Sequence, residues 1–281
     1  MLGAATGVVL LVVTWYAAFH VGVIERGDAS VLRGFEGLRR PVIDRIATVI
    51  ANLCDPKPYV CLATLVVVAG LLRRRVRVAV AAAGIMLAAN FTTQILKQLL
   101  VQVHPVLVYL NGVPQIKEGS WPSGHATAAM SLALCSVLVA KARWRPFVAV
   151  AGAVFAVAVS FSFLTLIWHY PSDVLGGFLV AATWTLVGVA VVWTADRYLP
   201  RSAPGTSTPR LTVREALAPP AVAALGAVAM VGLVALARPR PVLAYARAHT
   251  AFVVGAAAIG ALGLALATGL MLATTMRRPG R

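Results

Sequence analysis

What most restricts this chain is the recurrence of apolar runs about as long as a bilayer is thick. Stretches of roughly 20 residues, the length that crosses hydrocarbon as a helix, return again and again along its 281 residues. Polar residues are too few to coat a soluble protein of this size: 60% of the chain is hydrophobic, 12% is charged, and mean hydropathy is +0.85. In lipid every backbone N–H and C=O must pair within the protein, which leaves helices or a closed barrel. Runs such as LVVVAGLL and AAAIGALGLALATGLML are continuous rather than alternating, so the barrel is excluded. An all-α, polytopic membrane helix bundle is expected.

Spanning helices are expected near residues 3–24, 58–73, 77–101, 122–140, 146–168, 171–194, 218–237 and 250–273. The first run lacks a basic leader and a small-residue cleavage site, so it is expected to remain as a helix. Between the first two, too many charges intervene for a span. There Val42, Ile43, Ile46, Val49, Ile50 and Leu53 recur at helical spacing, with Asp44 and Arg45 opposite, which predicts an amphipathic helix lying in the interface. The segment PRSAPGTSTPR reads as a flexible linker. The expected organisation is a membrane core over 1–195, a cytoplasmic linker over 196–217 and a two-helix membrane extension over 218–281.

The net charge of +16 does not point to nucleic acid, because of where the charges fall. One set of loops carries Arg73, Arg74, Arg75 and Arg77, then Lys141, Arg143 and Arg145, then Arg197, Arg201, Arg210 and Arg214, and finally Arg277, Arg278 and Arg281. Only Asp196 and Glu215 oppose them. By the positive-inside rule these loops are cytoplasmic, and membrane lipids are the counterpart of the charge. Cys54, Cys61 and Cys135 have no metal-ligand spacing, and no set of acids and histidines resembles a metal cage; neither metal nor cofactor is expected.

This topology puts three polar clusters on the non-cytoplasmic side. Asn90, Gln94 and Lys97 share a helix face and are followed by His104-Pro105. Pro122-Ser123-Gly124-His125 opens the next helix, with Pro122 expected in its first turn and the Ser123 and Gly124 N–H groups free to meet an anion. His169-Tyr170-Pro171-Ser172-Asp173 joins two further helices. An Asp173 carboxylate can hold one nitrogen of His169 and leave the other as a nucleophile, while His125 is an acid or base near neutral pH. Lys97 brings a positive charge for a phosphate. Asp173 is expected as the sole carboxylate near the site, apart from Glu118 on the loop. Taken singly, each cluster has a plainer use: Asn90 and Gln94 as glue between helices, Lys97 as a snorkelling lysine, PSGH as an ordinary helix start.

Together, in this order, the sequence resembles the type 2 phosphatidic acid phosphatase superfamily of integral membrane lipid phosphatases, over roughly residues 1–195. Lys97 and Pro105 match the first block of that family's pattern, Pro122, Ser123, Gly124 and His125 the second, and Ser162, His169 and Asp173 the third. Two positions depart from it. Arginines that clamp the phosphate in the family are His104 and Phe163 here, and neither reproduces a fixed, bidentate charge. The resemblance implies that His169 forms a phosphohistidine with Asp173 orienting it, that His125 moves the proton, and that Lys97, Ser123, Gly124 and His104 bind the substrate. It implies a phosphatase of lipid phosphates or pyrophosphates, prenyl phosphates among them; the Ala-, Val-, Gly- and Arg-rich composition fits a bacterial inner membrane, and the charge sorting puts the site on its outer face. Two alternatives stand beside it: a lipid phosphoryl or headgroup transferase, and a non-catalytic member that binds a membrane protein partner through its C-terminal helices.

Overall fold

The computed structural model describes residues 2–101, 116, 119–198 and 212–275. Among these residues it is all-α, with eleven α-helices: α1 (Leu2–His20), α2 (Gly22–Glu36), α3 (Pro41–Asn52), α4 (Pro56–Leu72), α5 (Val76–Leu99), α6 (Gly124–Val139), α7 (Arg145–Thr165), α8 (Pro171–Tyr198), α9 (Val213–Ala237), α10 (Pro239–Ala248) and α11 (Thr250–Thr275). The sequence explains most of the boundaries. Prolines stand in the first turn of α3, α4, α7 and α10, where their missing N–H costs nothing. Ser123 and Thr212 cap α6 and α9 through their side chains.

The bundle is built around α6. Of its 16 residues, 13 are buried, and it packs against α4, α5, α7, α8 and α11. Outward-facing side chains such as Val80, Leu87, Phe91, Val154, Val228 and Leu236 are large, apolar and exposed, as a lipid-facing surface requires. The last helix, α11, lies against α7 and α2. Arg145 at the start of α7 donates to the Thr274 carbonyl at 2.7 Å, which ties the end of α11 to the core.

Among the described residues six helices, rather than the expected eight, are each long and apolar enough to cross a bilayer: α1, α5, α7 with the short turn before it, α8, α9 and α11; the bent pair α3–α4 passes the same test when taken together. The other two are shorter. The 17 residues of α4 follow α3 at an angle of 53°, because residues 53–55 break the helix before Pro56 opens the next. With 16 residues α6 is about 24 Å long at 1.5 Å per residue. It needs no full span, because neighbouring helices and not lipid surround its backbone. The amphipathic helix expected near 42–53 is α3. In front of it, α2 replaces what the sequence reading left without structure, and it buries Glu25 and Asp28 together with Leu32 and Phe35.

Basic residues of the described loops gather at the C-terminal end of α6. Arg73 and Arg75 donate to the carbonyls of Leu138, Val139 and Ala140, satisfying the acceptors at the C-terminus of α6 where its dipole is negative. Arg77 pairs with Asp196 at 2.9 Å. The opposite end of α6 begins at Gly124, so the polar clusters and the basic collar lie at opposite ends of the molecule.

Candidate active site

The three polar clusters converge at the N-terminal end of α6. Ser123 is the N-cap, and its Oγ accepts from the Ala126 N–H at 3.3 Å. Two expectations are corrected here. Pro122 precedes the cap and does not sit in the first turn, because the serine claims the capping position. The Ser123 N–H is not free either; it donates to the Asp173 carbonyl at 2.9 Å. That bond ties the start of α6 to the start of α8. What remains open to an anion is the N–H of Gly124 at the positive end of the helix, together with the serine hydroxyl proton.

The glycine pair after Asp173 makes this approach possible. A Cβ on Gly177 would stand 2.7 Å from the Ser123 carbonyl oxygen and 3.0 Å from the Thr127 nitrogen, and one on Gly176 would stand 2.7 Å from the Trp121 ring. The α5 end arrives by similar means. Gly119 adopts φ +70°, a region costly for other residues, and a Cβ there would lie 3.3 Å from the Lys97 carbonyl. Thr93 and Thr127 join α5 to α6 through their hydroxyls at 3.0 Å. Asn90 is structural: it donates to Tyr59 of α4 at 2.8 Å and to its own helix at Met86. Gln94 reaches the Gly124 position.

His169 and Asp173 form a buried pair. Nδ1 of the imidazole lies 3.1 Å from Asp173 Oδ2, which also accepts from the Tyr170 N–H at 3.0 Å. With Nδ1 protonated and held by the carboxylate, Nε2 carries the lone pair. Lys97 is close enough to interact electrostatically with Asp173, and His125 with both His169 and Lys97. Phe163, which stands where the family pattern has an arginine, is fully buried, with its ring centroid 5.2 Å from that of His169 and 6.1 Å from that of His125. A buried apolar ring thus borders both histidines. His104 lies outside the described residues. Among those residues no three His, Cys, Asp or Glu side chains form a metal-binding group.

Two carboxylates were missed by the sequence reading, which expected only Asp173 and Glu118 near the site. Asp55, from the turn between α3 and α4, lies 3.2 Å from His125 Nε2. Asp28, on α2, accepts from the Ser172 N–H at 3.1 Å through Oδ1 and so holds the first turn of α8. Burial, reinforced by the charges of Asp173 and Glu25, pushes the Asp28 carboxyl up to about 7 against the bonds from Ser172. A sequence signal for Asp28 existed: Glu25, Asp28, Leu32 and Phe35 share one helical stripe. Asp55 gave only a helix-start signal before Pro56.

Comparison with known proteins adds to this geometry. Residues 78–197 match the model of the PAP2 superfamily, a region that includes Lys97, the PSGH segment and the His169–Asp173 pair. Among solved structures, a transmembrane PAP2-type phosphatidylglycerolphosphate phosphatase from Bacillus subtilis superposes with a TM-score of 0.56 at 18% identity, covering 70% of this chain and 100% of its own. That likeness is one of fold. No curated protein gives a significant match to the chain.

Proposed function

We propose, from the premise that the chain belongs to the PAP2 superfamily through residues 78–197, that this membrane phosphatase hydrolyses lipid phosphates through a phosphohistidine. The observation that carries the reading is the buried 3.1 Å contact of His169 Nδ1 with Asp173 Oδ2 beside Lys97 and His125. Nε2 of His169 attacks phosphorus, the bond to the lipid oxygen breaks, and His125 gives that oxygen its proton. His125, now neutral, takes a proton from water as the water attacks the phosphohistidine. The P–N bond breaks, inorganic phosphate leaves, and His169 is restored. Lys97, the Gly124 N–H and the Ser123 hydroxyl hold the phosphoryl oxygens while charge develops on them.

The class of substrate follows from position. The reactive groups stand at helix ends at one end of an apolar bundle, where lipid headgroups lie. The basic collar at the other end supports placing the site on the non-cytoplasmic face. The fold neighbour's description as a phosphatidylglycerolphosphate phosphatase supports the same class, with prenyl phosphates and pyrophosphates as further members of it. A second reading, phosphoryl transfer to an alcohol, is favoured by one feature: the buried Phe163 ring beside His169 makes that side of the site poor for water. One assay tests both readings. Purified protein should release inorganic phosphate from a panel of lipid phosphates, and His169→Ala should lower the rate by several orders of magnitude. Phosphoryl groups appearing on a lipid alcohol in place of phosphate release would select the transferase. Equal rates in wild type and His169→Ala would remove both.

A further inference from the structure

We propose that Asp55 is the positioning residue for His125, so that the site contains a second carboxylate–histidine pair dedicated to proton transfer; this rests on the reaction proposed above. The contact, 3.2 Å between Asp55 Oδ1 and His125 Nε2, bridges 70 positions of sequence. Asp55 is the N-cap of α4, and an N-cap aspartate ordinarily accepts from the N–H groups of its own first turn. Here it makes no such bond. Its carboxylate turns away from the helix it begins and toward the imidazole.

The surroundings give that choice a purpose. Burial disfavours the charged form of His125 and the Lys97 ammonium from α5 adds to that, leaving the imidazole below its usual range, whereas the bond to Asp55 favours keeping the proton. Aromatic rings of Phe163 and Trp168, at centroid distances of 6.1 and 5.8 Å, close the remaining side without charge. Tyr59 of α4 points to Asn90 and Ser131, deeper in the bundle. Asp55 is therefore the carboxylate that steadies the protonated form of His125 while Asp173 serves His169.

The pairing also assigns the nitrogens. His169 is held through Nδ1 and reacts through Nε2; His125 is held through Nε2 and exchanges its proton at Nδ1. In the first step the Nδ1 proton passes to the departing lipid oxygen, and Nε2–H stays on Asp55. In the second, Nδ1 takes the proton of the attacking water. The side chains of Asp55 and His125 are 45% and 24% exposed, so the pair sits at the mouth where a leaving lipid alcohol would depart.

The test uses full-length protein in detergent and the variants Asp55→Asn and Asp55→Glu. Asparagine keeps the size and the capping ability of the residue. By NMR of histidine-labelled protein, His125 should lose its proton about one pH unit lower in Asp55→Asn, and Asp55→Glu should restore part of that shift. This readout needs no turnover, so it decides on Asp55 even if the wild type proves inactive and the proposed function falls. In turnover, Asp55→Asn should slow hydrolysis of an alkyl phosphate about tenfold or more, because the alcohol must be protonated. It should change the pre-steady-state burst of p-nitrophenol from p-nitrophenyl phosphate far less, since that leaving group needs no proton in the first step, the one step in which the two substrates differ. An unchanged His125 titration in Asp55→Asn, or an equal loss in alkyl phosphate hydrolysis and in the p-nitrophenol burst, would overturn the proposal.

Discussion

Replacing Gly177 with alanine tests how the two halves of the site are held together. The added Cβ would stand 2.7 Å from the Ser123 carbonyl oxygen, 2.8 Å from the Ala126 Cβ and 3.0 Å from the Thr127 nitrogen. Two of these neighbours are backbone, so no rotamer change relieves them. Reaching ordinary contact at 3.4 Å requires α8 and α6 to part by about 0.7 Å (3.4 less 2.7). Overpacking of this kind costs about 1–3 kcal/mol, which corresponds to a fall in Tm of roughly 2–10 °C for a chain of this size. The same displacement stretches the 2.9 Å bond from the Ser123 N–H to the Asp173 carbonyl and shifts His169 relative to His125. A misplacement approaching 1 Å can cost on the order of a hundredfold in rate. Gly84→Ala is the control, because nothing lies within 4 Å of its added Cβ. Thermal denaturation in detergent and phosphate release, measured on both variants, give the answer. If Gly177→Ala matches Gly84→Ala in both, close approach of α8 to α6 does not hold the site.

Phe163→Arg puts a fixed charge beside both histidines. A charge-assisted bond to phosphate contributes about 1.5–3 kcal/mol, so kcat/KM on lipid phosphates should rise about tenfold or more; no change in a well-folded variant would show that this ring does not border the phosphate. Asp28→Asn should flatten the pH dependence of stability. With its folded pKa raised from 3.8 to about 7, Asp28 binds a proton more tightly in the native state, so its contribution is present below about pH 4 and is lost as pH rises through about 7. Thermal midpoints between pH 5 and 8 should therefore drop less in Asp28→Asn than in the wild type, while Asn Oδ1 can still accept from Ser172.

Much of this molecule was legible because it is written locally. Apolar length marked the long helices, and prolines and Ser123 marked where they start. The four-residue spacing of His169 and Asp173 lets an imidazole reach a carboxylate across one turn whatever else the fold does. The charge sorting was legible for a similar reason, since basic residues collect in loops on one side of a bilayer without regard to packing. The misjudged elements are instructive. Charges in α2 were read as too many for a span, and nothing local told that Glu25 and Asp28 are buried within protein, where Ser172 offers a partner to the latter. The short α6 was read as a span because hydropathy cannot tell burial in lipid from burial in a bundle.

Sequence by itself determined that the chain is a helical membrane protein, where most helices begin, and which residues form the His169–Asp173 pair. Tertiary structure alone decided which groups from distant segments meet that pair. Asp55 reaches His125 across 70 residues, Phe163 packs against both histidines, and Gly176-Gly177 lets α8 press against the start of α6. The physical reason is range. Caps, periodicity and hydropathy act over a few residues and act alike in any fold, whereas a contact between separate helices exists only once their packing fixes which faces touch, and nothing in the local spacing of Asp55 or His125 carries that information.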